Sequence, residues 1–117
     1  MNTHHHLEVW QDARRLVRII YRLTDGLPSA ERFVVVPQVR RAAWSVHNNI
    51  AEGNAKLGRR EMRRFFDIAI GSLTEGDAMV ATLGDLYSLD AQLVAAVANL
   101  RGSINGRPFA MLRAGRR

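Results

Sequence analysis

Gln38-Val39-Arg40-Arg41-Ala42-Ala43-Trp44-Ser45-Val46-His47-Asn48-Asn49-Ile50-Ala51-Glu52-Gly53 is the stretch whose reading decides the fold. Val39, Ala42, Ala43, Val46, Ile50 and Gly53 recur at intervals of three and four, which puts them on one face of an amphipathic helix. The side chains on that face are small, so a neighbouring helix can approach closely. Gln38, Arg41, Ser45, Asn49 and Glu52 recur at the same spacing and form a polar stripe beside the apolar one. Such a stripe holds either a partner or a buried network. Pro37 sets the expected start, because proline is tolerated at the first helical position and pushes Val36 away from helical torsions. The helix is therefore expected over 37–53.

Upstream, Trp10, Ala13, Leu16, Val17, Ile20 and Leu23 fall at helical spacing, and Asp25-Gly26-Leu27-Pro28 supplies a stop, giving a helix over 7–25. Arg14, Arg18 and Arg22 stand four apart on it, a stripe that is more often a solvated face than a binding edge. Residues 1–6 read as a loose tail. Its His4, His5 and His6 do not share a helix face, and a short His run also fits a tag remnant. Residues 28–36 read as an extended or turn-like link, since Arg32-Phe33-Val34-Val35-Val36 has strand-like composition but no partner strand.

Downstream, Asn54-Ala55-Lys56-Leu57-Gly58 is a short loop, and Glu61 stands where a carboxylate favours a helix start. A helix of about 28 residues, roughly 42 Å long, is expected over 59–87. Its inward face is Met62, Phe65, Phe66, Ala69, Leu73, Met79, Val80, Leu83 and Leu86. Ile68 and Ile70 widen that face beyond what one small core uses, which suggests a surface covered by another subunit. Gly71, Ser72 and Gly76 are costly inside a helix, by about 1 kcal/mol per glycine against alanine, and close helix approach is one reason to keep them. Ser88-Leu89-Asp90 reads as a turn and amino-terminal cap. Leu93, Val94, Val97 and Leu100 then mark a last helix over 90–107, which Pro108 is expected to end or kink. Residues 109–117 form a basic tail containing Arg113, Arg116 and Arg117.

Four helices over 7–108, short connections and no strand pattern predict an all-α, antiparallel up-down four-helix bundle. A chain of 117 residues forms one domain with much of its surface exposed. No apolar run approaches the ~18 residues of a membrane span, and the amino terminus lacks a secretion signal, so a cytoplasmic location is expected. Absence of cysteine excludes disulfides and thiolate chemistry.

Charge narrows the partners. Lys and Arg number 17 against 11 Asp and Glu, giving a net charge of +6 and a pI near 11.2, a balance that favours phosphate-rich or acidic partners. Lys56 is the sole lysine. Arginine suits bidentate recognition of phosphate and carboxylate, although a genome rich in Arg codons gives the same bias. Lys56, Arg59, Arg60, Arg63 and Arg64 crowd one loop and the first turns of the long helix. Cations there oppose the positive helix end at about 0.3 to 1 kcal/mol each, a cost that a phosphate relieves. Glu61, Asp67 or the acids of a neighbouring subunit would relieve it as well.

Catalytic constellations fail on spacing. No Glu is followed by a His three residues on, as a carboxylate-bridged metal bundle needs. Ser45 and His47 point to different sides of their helix and cannot act as nucleophile and base. Gly53-Asn54-Ala55-Lys56-Leu57-Gly58 has the glycines of a phosphate loop, but Arg59-Arg60 replaces Lys-Ser/Thr and a helix precedes it. No enzyme activity, metal or cofactor is expected.

Leu7-Glu8-Val9-Trp10, Leu27-Pro28 with Glu31, Gln38-Val39-Arg40-Arg41-Ala42-Ala43, Ser45-Val46, Asn49-Ile50-Ala51-Glu52-Gly53 and Ala69-Ile70-Gly71-Ser72-Leu73 with Glu75 occur in one order. In this the chain resembles the four-helix-bundle proteins of ribosomal-RNA intervening sequences. The likeness covers about residues 7–87; Gly76 replaces a larger apolar residue of the pattern, and the part after Asp90 matches in outline. The resemblance implies an up-down bundle, a ring-shaped homopentamer and no established catalytic activity. A related branch, the accessory protein of diversity-generating retroelements, is a basic pentamer that binds a reverse transcriptase and nucleic acid.

Two working functions follow. In one, Lys56, Arg59, Arg60, Arg63 and Arg64, with the tail arginines, contact RNA or DNA phosphates. In the other, the basic face docks an acidic protein such as a reverse transcriptase. Gln38, Arg41, Asn49, Glu52 and Glu75 are assigned to structure or assembly. Arg41 and Glu52 lie on one face about three turns apart, too far to touch, so each needs a partner elsewhere. Glu75 is the expected partner of Arg41, and an arginine or helix start that of Glu52.

Overall fold

The computed structural model describes residues 3–114, and side chains over 6–106. Four helices, α1 (Thr3–Asp25), α2 (Val35–Ala55), α3 (Arg59–Leu86) and α4 (Ala91–Ala114), account for nearly all of it. One 3-10 turn, Ser29–Glu31, lies between α1 and α2, and the described residues contain no strand. The chain is thus an all-α four-helix bundle, 50 × 24 × 18 Å across. α1 packs on α2 and α4, and α3 packs on the same two helices from the other side.

The core follows from the spacing of apolar residues. α1 contributes Val9, Ala13, Leu16, Val17, Ile20 and Leu23, and α2 contributes Val39, Ala43, Val46 and Ile50. α3 adds Met62, Phe66, Ala69, Leu73, Val80 and Leu83, and α4 adds Val97, Leu100 and Ile104. Leu86, expected inside, is 64% exposed because it ends its helix. Phe65 and Met79 are half-buried.

Four boundaries differ from expectation. α1 begins at Thr3, so residues 3–6 are helical rather than a loose tail. The end of α2 helps hold this first turn, since Asn54 Nδ2 donates to the His6 carbonyl at 3.1 Å. α2 begins at Val35, so Pro37 stands third in the helix rather than first. The first turn has amides without an intrahelical acceptor, so proline's missing N–H costs nothing there. Val35 packs against the core, and that burial outweighs the steric bias on the residue before proline. α2 also continues two residues past Gly53, to Ala55. Finally, α4 runs through Pro108 to Ala114 rather than ending near Arg107. A proline removes one helical hydrogen bond and bends a helix without having to stop it. Buried Val97, Leu100 and Ile104 hold α4 to the bundle up to that point.

Polar contacts staple the helices. Asp12, almost wholly buried on α1, accepts from Ser103 Oγ of α4 at 2.7 Å and from Arg15 at 2.9 Å. Arg40 Nε of α2 donates to Thr24 Oγ1 at 2.9 Å, and its Nη2 lies 2.8 Å from Asp25. Thr24 in turn donates back to the Ile20 carbonyl. Beyond α3, Tyr87 donates its hydroxyl to Glu31 at 2.6 Å. That hydrogen bond, with desolvation and the Glu31 charge, raises the Tyr87 pKa above 10.0. Asp90 caps α4 through the amides of Gln92 and Leu93.

Candidate nucleic-acid interface

The break between α2 and α3 gathers the expected cations. Lys56 follows α2, with its amide on the Gly53 carbonyl at 3.1 Å, and Gly58 precedes α3 without a side-chain cap. Arg59, Arg60, Arg63 and Arg64 then stand exposed on the first turns of α3. Phe65 lies among them, with Lys56 Nζ 5.1 Å and Arg64 Cζ 5.8 Å from its ring centroid. Glu52 reaches Lys56 at 3.6 Å and Asp67 reaches Arg63 at 3.9 Å. Both contacts are loose and solvated, so they oppose the positive field weakly. The α4 backbone includes Arg113, whose side chain lies outside the described residues, as do Arg116 and Arg117.

The polar stripe of α2 divides. Asn49 Nδ2 donates to the Ser45 carbonyl at 2.8 Å and reaches Ser45 Oγ at 3.2 Å. Ser45 Oγ meets Ser72 Oγ of α3 at 2.7 Å. This short chain of small groups fits where α2 and α3 lie close. The expected Arg41–Glu75 pair is not formed: both side chains are exposed, and no ion pair joins them among the described residues. Two long side chains in water gain little from holding one geometry. Gln38 is exposed as well. Glu52 meets Lys56 one turn along rather than an arginine or a helix start.

Glycine plays a different part from the one expected of Gly71 and Gly76. A Cβ at Gly71 would meet nothing within 4 Å, and one at Gly76 would only touch Ala42 at 3.6 Å. Close approach belongs to Gly53, where a Cβ would lie 2.6 Å from the ring of Phe66.

A second basic surface sets aromatic rings, not expected from the sequence, beside the Arg14, Arg18 and Arg22 stripe. Along the outer groove of α1 and α2, Trp44 Nε1 donates to Tyr21 Oη at 3.0 Å. The His47 ring stands edge-on to Trp44 at 5.2 Å and tilted to Trp10 at 6.4 Å. Arg14 lies over Trp10 at 4.8 Å and Arg40 over Tyr21 at 4.1 Å. The signal was present as Trp10, Arg14, Arg18 and Tyr21 on one helix and Arg40, Trp44 and His47 on the next, at matching intervals of three and four. Elsewhere charge has the opposite sign. Residues 65–100 hold Asp67, Glu75, Asp77, Asp85 and Asp90 and no Lys, Arg or His.

The sequence pattern of 23S rRNA-intervening sequence proteins matches residues 5–105. The chain belongs to that family. A member of the 23S rRNA-intervening sequence family is expected to share the bundle, and a solved structure has the same fold. It is a protein of unknown function from the S23 ribosomal protein family of Bacteroides thetaiotaomicron VPI-5482. The two agree with a TM-score of 0.80 at 18% identity, over 93% of this chain and 98% of that one. None of the curated proteins matches this family member. Among the described residues no helix is long and apolar enough to cross a membrane.

Proposed function

We propose that this family member is a non-enzymatic, homo-oligomeric bundle, pentameric and up-down in path, that binds nucleic acid or serves as an adaptor in the cytoplasm. The observation carrying this reading is the cation cluster of Lys56, Arg59, Arg60, Arg63 and Arg64 at the positive start of α3, with all four arginines exposed. Phosphate oxygens answer that charge and geometry. Short connections and the Tyr87–Glu31 contact between the end of α3 and the start of α2 support the up-down path. Exposed Ile68 on α3 supports burial against another copy.

The test is native mass by light scattering, with and without single- and double-stranded oligonucleotides, across a salt series. A pentamer-sized particle that binds at low salt and releases at high salt sustains the proposal. A monomer removes the assembly, and a ring indifferent to nucleic acid removes the binding.

A second reading, a scaffold that docks an acidic protein such as a reverse transcriptase, draws on a different surface. Val35, Ala78, Met79, Thr82, Leu83 and Leu86 line an open, mainly apolar groove of about 330 Å³ beside Glu75. Phe33, in the connector before Val35, is 85% exposed. Phosphates have no use for such a groove, whereas a protein does. Cofractionation with one protein that survives nuclease treatment favours this reading.

A further inference from the structure

We infer that the outer groove of α1 and α2 is a stacking platform for unpaired bases of a single-stranded nucleic acid, distinct from the Lys56 cluster. The inference rests on the nucleic-acid reading above and adds a location and a ligand class to it.

Aromatic rings and arginines alternate along this groove. Tyr21 and Arg40 stand at one end, Trp44 and His47 in the middle, and Trp10 and Arg14 at the other. From Trp10 to Tyr21 the helix advances roughly 16 Å, room for more than one base. Trp44 is 41% exposed and Tyr21 36%, large areas for rings that could have been turned into the core. Their orientation is nevertheless fixed. The Trp44 N–H is held by Tyr21, and the His47 ring abuts Trp44 edge-on. Rings held in place in advance give up little freedom on binding.

The surrounding charge fits a polyanion. Arg14, Arg18 and Arg22 are exposed at successive turns of α1. Nearby Asp25 is engaged by Arg40 at 2.8 Å, and Asp12 is buried toward Ser103 of α4. The cation-free run of residues 65–100 lies on α3 and the first part of α4, so its carboxylates are carried by other helices. An anionic strand lying on α1 and α2 stays clear of that acidic run.

The rings decide between single and double strands. A duplex offers phosphates to arginines but keeps base faces stacked inside, out of reach of Trp44 or Tyr21. An unpaired strand offers both, and aromatic stacking is tolerant of sequence because every base has a π face. Loss of one stacked ring is expected to weaken binding about 5- to 100-fold.

Trp10 and Trp44 are the chain's 2 tryptophans, so intrinsic fluorescence reports on this groove. The experiment titrates the full-length protein with an end-labelled oligodeoxythymidine and with a duplex of equal length, following label anisotropy and tryptophan emission together. The expected result is quenching that tracks the anisotropy rise for the single strand and tighter binding of it than of the duplex. Trp44→Ala should weaken single-strand binding within the stated range, and Trp44→Phe, which keeps a ring but loses the Tyr21 bond, should retain it. If Trp44→Ala does not fold, Arg14→Gln with Arg18→Gln, both at exposed positions, takes its place with the same expected direction. Anisotropy that rises without quenching, with these variants binding as the parent does, overturns the platform and leaves the Lys56 cluster as the binding site. No binding of either oligonucleotide at low salt overturns both readings.

Discussion

The ring of Phe66 occupies the space that a side chain on Gly53 would need. A Cβ there would lie 2.6 Å from Cε1 and 2.7 Å from Cδ1 of a ring that is fully buried. Phe66 has nowhere to turn, so Gly53→Ala overpacks the contact between α2 and α3. A net loss of roughly 1 to 3 kcal/mol is expected, despite alanine's better helix propensity. Gly71→Ala, with open space around it, should gain up to about 1 kcal/mol. Urea unfolding of both variants checks the opposite signs.

Ser103→Ala should cost about 1 to 3 kcal/mol, because Asp12 Oδ2 loses an acceptor bond of 2.7 Å in an almost dry site. Replacing both, with Asp12→Leu and Ser103→Ala, should recover part of that loss, since no buried carboxylate is then left short of a donor. A double-mutant cycle in urea measures the coupling.

Tyr87 makes the stability depend on alkaline pH. Its folded pKa is raised above 10.0, chiefly by the hydrogen bond to Glu31. A raised folded value means the contribution is whole below pH 10 and is lost as pH climbs through the higher folded value. Tyr87→Phe should therefore melt lower than the parent at neutral pH, with the gap closing above pH 10. Thermal melts at a series of pH values give the answer.

Salt dependence separates the cations of the α2–α3 break from mere net charge. Each phosphate contact on a single strand contributes about 0.7 to the slope of log affinity against log salt. Arg60→Gln with Arg64→Gln should flatten that slope by roughly 1.4. The same two changes made at Arg41 and Arg101 should leave a slope nearer the parent's.

Much of the fold was legible because it depends on local spacing. The buried set of α2 is Val39, Ala42, Ala43, Val46, Ile50 and Gly53, the face read from periodicity alone. The long helix ends at Leu86, one residue short of its expected limit. Periodicity failed where burial or geometry over a longer range decides. Val35 joins α2 ahead of Pro37 because it packs on the core, a fact about distant residues. The Arg41–Glu75 pair was inferred from shared helix faces, yet solvent is an adequate partner for both. The aromatic groove needed two helices read side by side, since Trp44 alone says nothing about Tyr21. No one-dimensional pattern points from Ser45 to Ser72.

The bond between Asp12 and Ser103 spans 91 positions of the chain. During synthesis α1 is made first, and its buried carboxylate waits for that hydroxyl while three helices' worth of chain is added. At ordinary translation speeds the wait is roughly 5 to 20 s. The first three helices can touch one another in that time, with Arg15 of the same helix already in reach of the Asp12 carboxylate. The contact that fastens α1 to α4 at Asp12 is therefore completed only when α4 arrives.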